Sequence, residues 1–167
     1  MSPAAEFVLL VIAIVLLAMA AVLDLAFRKI PNWLPLALTA DGLVLRVLSG
    51  ELLAGIAAGT VVFVLCALLW RRGLLGGGDV KLLGAAATVV HAPYAASFIL
   101  SVSLAGGLLA VVYVVLRQII LRRVQGRRRA TLMARIARIE RRRICQRGSL
   151  PYACAIAAGA FFTLAGG

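Results

Sequence analysis

Residues 6–29 read EFVLLVIAIVLLAMAAVLDLAFRK: an uncharged apolar run from Phe7 to Leu23, then Asp24, then the cations Arg28 and Lys29. A helix rising about 1.5 Å per residue needs about 20 such residues to cross roughly 30 Å of hydrocarbon, and this run has that length. An ionised carboxylate at the centre of a spanning helix costs roughly 2.5–3.5 kcal/mol on insertion scales, so an acid at membrane depth marks a candidate functional group. The chain places a second acid in a similar setting, Asp79 within GGGDVKLL at residues 76–83. Only six acidic residues occur in the whole sequence, and these two stand at the ends of apolar runs.

Composition fixes the class. Apolar residues make up 63% of the 167 and mean hydropathy is +1.06, well above the roughly 45–50% apolar content of soluble domains. The expected fold is all-α, a polytopic transmembrane helical bundle, because the apolar material comes in long runs instead of the short alternating segments of a β-barrel. A net charge of +12 would suggest nucleic acid in a soluble protein, but in a membrane chain Lys and Arg gather in cytoplasmic loops. Cys66, Cys145 and Cys154 are scattered and His91 is the sole histidine, so the spacing indicates no disulfide framework, metal site or cofactor.

Six spans are expected at about 6–27, 33–49, 52–70, 80–98, 99–116 and 150–166, with a turn at His91-Ala92-Pro93-Tyr94 dividing the fourth from the fifth. Ala18-Met19-Ala20 resembles a signal cleavage site, yet no basic segment precedes the run, which argues for an uncleaved first span with its N-terminus outside. That orientation leaves 28–32, 71–81 and 117–149 in the cytoplasm, holding two, three and twelve basic residues of the chain's eighteen. Only Arg46 falls elsewhere, and the reverse orientation would export nearly all the charge. Asp24 and Asp79 then lie at the same membrane face, able to meet if spans one and four pack together. The whole chain, 1–167, is expected to form one membrane domain carrying a basic cytoplasmic loop at 117–149.

Two carboxylates sharing a site hold one proton between them, because like charges at close range cannot both ionise. One can accept a proton from an attacking water while the other polarises the carbonyl under attack. The pair titrates as a unit, which leaves acid and base unassigned. The competing reading makes each aspartate a helix cap or an ion-pair partner, with Asp79 capping a helix that begins at Val80. Gly76, Gly77 and Gly78 lack Cβ atoms and would give Asp79 a breakable, non-helical segment lining a wet opening, or a plain loop. On a regular helix Lys81 points away from Asp79, towards lipid phosphate. Ile30-Pro31-Asn32 ends the first cytoplasmic turn, with Pro31 suited to start the second span.

Taken together, Asp24 with Ile30-Pro31-Asn32 and Gly76-x-Gly78-Asp79-x-Lys81 resemble the paired signatures of the type IV prepilin peptidases, membrane aspartyl proteases with a G-x-G-D motif. The late PYACAIAAG at 151–159 is similar to the proline-led final helix of that family. The resemblance implies that Asp24 and Asp79 are the catalytic pair, with Gly76, Gly77, Gly78, Lys81, Ile30, Pro31 and Asn32 forming the surrounding loop. It also implies cleavage of short basic leaders from prepilins at the cytoplasmic face of a bacterial inner membrane. Long family members carry a zinc-binding cytoplasmic region with paired cysteines, associated with N-methylation. Only about 20 residues precede Asp24 and the cysteines are dispersed, so the chain looks most like the short peptidases of tight-adherence (Flp-type) pili, without methyltransferase activity.

Residues 117–149 interleave Arg122-Arg123, Arg127-Arg128-Arg129 and Arg141-Arg142-Arg143 with Leu132, Ile136 and Ile139. This pattern suits either a basic amphipathic helix on anionic lipid or a solvated loop that enforces topology. Nucleic acid is not an expected partner, since no aromatic alternates with the arginines. Asp41 falls inside the second span, where it could pair with Arg46 or line a polar route. Two other functions therefore stay open: a small proton-coupled transporter using Asp24, Asp41 and Asp79, and a non-catalytic pilus or secretion assembly subunit.

Overall fold

The computed structural model describes residues 3–124 and 152–166, and these are all-helical. Helix α1 spans Pro3–Phe27, α2 Trp33–Ser49, α3 Leu52–Arg71 and α4 Gly77–Val89. A 3-10 turn at Ala92–Tyr94 leads into α5, Ala95–Val124, and α6 covers Tyr152–Gly166. Residues 1–106 with 151–167 make one compact unit and residues 107–150 a second.

Local chemistry sets the first boundaries. Helix α1 ends where Arg28 adopts a left-handed φ of 55°, its amide still bonded to the Asp24 carbonyl at 2.9 Å. Pro31 then starts the next helix through its carbonyl, which accepts the Leu34 amide at 3.1 Å. Gly50, at φ 75°, closes α2 with its amide on the Arg46 and Val47 carbonyls, a conformation that Gly adopts without a Cβ penalty.

The expectations of one span over 80–98 and another over 99–116 need correction. Helix α4 starts three residues earlier, at Gly77, and stops at Val89, while the anticipated turn at His91–Tyr94 does separate it from α5. Thirteen residues reach only about 20 Å, short of a bilayer's hydrocarbon. Helix α4 is instead the centre of its unit: Val80 and every residue from Leu82 to Val89 are buried, and Lys81 alone is exposed. It packs against α3 and α2, touches α6, and meets α1 only over a short stretch. Gly84, Ala85, Ala86 and Ala87 make this possible, because small side chains let neighbouring helices approach closely.

The rim is apolar outwards, with Phe7, Val22, Leu53, Val61, Leu100, Leu104 and Phe162 all exposed. Such a surface needs lipid or a partner to cover it. Three stretches are long and apolar enough to cross a membrane: α1, α3, and residues 92–116 running into α5. The chain is a membrane protein. The first eight residues of the basic stretch 117–149 are the last turns of α5; Leu132, Ile136, Ile139 and the rest of that segment lie outside the described residues.

Candidate active site

Asp24 lies one turn before the end of α1 and is buried, with 7% of its surface accessible. Its carboxylate faces the beginning of α6, where Oδ2 accepts the backbone N–H of Ala153 at 3.3 Å. Ala153 is the second residue of that helix, whose first amides have no partner within it. Asp24 therefore serves as a cap supplied by a different helix. Beside this contact the Cys154 thiol donates to the Ala21 carbonyl at 3.8 Å. The charge of Arg28 acts on the same carboxylate.

Asp79 occupies the third position of α4. Its carboxyl reaches back to the amide of Gly76, one half of a capping box, in which the third helical residue satisfies the amide of the cap. The expectation that Asp79 itself caps a helix starting at Val80 is thus corrected. So is the idea of an open glycine segment: Gly77 and Gly78 are helical, and only Gly76 is extended, at ψ 143°. Gly76 is needed for space, since a Cβ there would stand 2.6 Å from Asp79 Oδ2.

The structure brings the two sequence segments together. Lys81 Nζ donates to Asn32 Oδ1 at 2.9 Å, so Lys81 meets Asn32 where lipid phosphate was expected. The Ile30 side chain rests over Gly78, 3.4 Å from the position a Cβ would take. Arg28's left-handed turn is what folds the chain back over the start of α4. Most directly, the charge of Asp24 acts on Asp79. The two acids lie within electrostatic reach although α1 and α4 meet only over a short stretch; α6 packs along α1 and also touches α4.

Alongside Lys81 and Asn32 opens a groove of about 410 Å³ between α2, α3 and α4. Thr39, Thr60 and Thr88 are the polar groups along its otherwise apolar and small-residue walls. Asp41 is placed apart from the pair: it is 8% accessible, and its Oδ2 has no hydrogen-bond partner. Its expected pairing with Arg46 does not form. Arg46 turns instead to the far end of α4, donating to the Thr88 carbonyl at 3.2 Å, to the Val89 carbonyl, and to Glu51 at 3.3 Å. His91 Nδ1 lies 2.8 Å from the same Glu51 oxygen. Among the described residues no three His, Cys, Asp or Glu side chains come together as a metal site.

Sequence reasoning missed two contributors, the Ala153 amide and the Tyr152 ring beside it. A backbone donor leaves no compositional trace, and the proline before Tyr152 was the one local sign that a helix begins there.

No curated protein and no solved structure matches the chain. The profile of the type IV leader peptidase family matches residues 10–111, a stretch holding both acidic segments and α1 to α4 almost entire, with α6 outside it. That match covers well over half of the sequence, and the chain belongs to the type IV leader peptidase family.

Proposed function

We propose that the chain is a membrane aspartic endopeptidase that removes the short basic leaders of type IV or Flp-type prepilins, with Asp24 and Asp79 as its acid–base pair. The observation that carries this reading is that two acids from different helices, each held near a helix N-terminus, lie within each other's electrostatic reach. One carboxylate takes a proton from a water whose oxygen attacks the scissile carbonyl carbon, and the protonated partner hydrogen-bonds the carbonyl oxygen. Collapse of the tetrahedral intermediate breaks the C–N bond, and the departing nitrogen takes the proton. An N-terminus outside would put the pair at the cytoplasmic face of the bacterial inner membrane, where leaders are presented. The basic stretch 117–149 would bind anionic lipid on that side.

The test is leader release from a synthetic prepilin by the purified protein in detergent, with the cut located by mass spectrometry. Cleavage at the leader junction supports the reading, and folded wild-type protein that leaves the substrate intact contradicts it. One observation favours a second reading, a proton route: Asp41 is buried with a carboxylate oxygen unpartnered, about 13 Å along α2 from Asn32 at 1.5 Å per residue. Asp41→Asn separates the two readings. For a peptidase, cleavage stays within about twofold of wild type; for a proton route, flux into reconstituted vesicles is lost and no proteolysis accompanies it.

A further inference from the structure

Tyr152 opens α6 beside Ala153, whose amide holds Asp24. Its ring packs against α5 at Gly106, where a Cβ would stand 2.8 Å from Cε2 and 3.1 Å from the hydroxyl. A side chain at position 106 would force the ring to shift. The charge of Asp79 acts on the phenol. Tyr152 is thus tied to both acids, through its neighbour's backbone to one and through space to the other.

The hydroxyl has no hydrogen-bond partner among the described residues, although the residue is only partly accessible. The hydroxyl is not among the buried unpartnered atoms of the described residues, so it keeps access to solvent and is available to an incoming group. Neutral O–H groups aimed where negative charge develops are a strong device for speeding acyl chemistry, because they need no reorganisation during reaction. Resting on the peptidase reading above, we propose that Tyr152 is a third catalytic residue, its hydroxyl donating a hydrogen bond to the scissile carbonyl oxygen as that oxygen becomes an oxyanion. No proton is transferred by the phenol; it stabilises charge while the aspartates move the protons.

The experiment is steady-state cleavage of a synthetic prepilin by full-length Tyr152→Phe, which keeps the ring on Gly106 and removes only the oxygen. The expected result is a fall in kcat of about 100-fold with KM within about twofold, the size of losing one oxyanion donor. The pH profile of kcat keeps its limbs, since those belong to the aspartates. Activity within twofold of wild type overturns the proposal, as does a raised KM with unchanged kcat. A displaced pH profile also overturns it, because the hydroxyl would then be acting through a carboxylate. Gly106→Ala, which dislodges the ring, should reproduce the loss in kcat, and wild-type turnover in that variant would count against the assignment. If Asp24→Asn still cleaves, it is the peptidase reading that fails, independently of Tyr152.

Discussion

At the C-terminal end of α4, Arg46 crosses from α2 and meets the Thr88 and Val89 carbonyls and the Glu51 carboxylate. At the N-terminal end, Asp79 feels the charge of Asp24, a group of the same sign. Both ends bury charge inside an apolar bundle, and they resolve it in opposite ways. A cation at a helix C-terminus complements the exposed carbonyls and the dipole, so the Arg46 cluster stabilises the fold. The acids each gain a backbone amide at a helix N-terminus, Asp24 also feels the charge of Arg28, and the charge of Asp24 acts on Asp79. One end is built for stability. The other holds two like-charged acids in each other's field by means of the surrounding helices, the arrangement that the proposed acid–base chemistry requires.

The comparison breaks most sharply at Arg46. Arg46→Met leaves two carbonyls and Glu51 without their donor and should cost about 2–4 kcal/mol, read as a lowered midpoint of thermal unfolding in detergent. Leader cleavage per folded molecule should be retained; a large drop in turnover without loss of stability would mean that the two ends are not separate in role. At the opposite end the expected signs reverse. Gly76→Ala puts a methyl group 2.6 Å from Asp79 Oδ2, and the side chain can swing away with little loss of stability. Misplacing a reacting group by about 1 Å costs as much as 100-fold, so a fall in kcat of about 10- to 100-fold is expected while the unfolding midpoint stays near wild type. An unchanged kcat would show that the carboxyl's position is not set by the Gly76 contact. The smallest effect belongs to Lys81→Met, which removes the 2.9 Å bond to Asn32 at an exposed position. Exposed polar pairs contribute little, and a reduction in cleavage of about three- to tenfold, with no change in the unfolding midpoint, is the expected outcome.

Helices α1, α2 and α3 were legible because apolar runs ended by Arg28, Pro31, Gly50 and Arg71 carry their own boundaries. Helix α4 was not. Hydropathy registers 80–98 as apolar, but whether Gly84 to Ala87 face lipid or three other helices depends on packing that no local pattern encodes. The glycines illustrate the same limit: read locally, Gly76 to Gly78 break a helix, whereas in the fold two of them begin one and the first makes room for Asp79. Closeness in sequence offered Arg46 as one of two settings for Asp41, and in the fold Arg46 meets the carbonyls ending α4 instead. Of the site, the acids and the partnership of Ile30-Pro31-Asn32 with Gly76 to Lys81 were readable as motifs. The Ala153 amide, the Tyr152 ring and Gly106 come from α5 and α6, and join the acids only through tertiary structure.

The central claim is that Asp24 and Asp79 work as one unit. Its most direct test is cleavage by Asp24→Asn, Asp79→Asn and the double variant, each confirmed folded by its unfolding midpoint. Residues acting as a unit lose their contribution together and not additively. The account predicts that each single variant loses about 10³-fold or more and that the double variant is no slower than either. Substantial cleavage by one single variant, or a double variant slowed by the product of the two single losses, would contradict it.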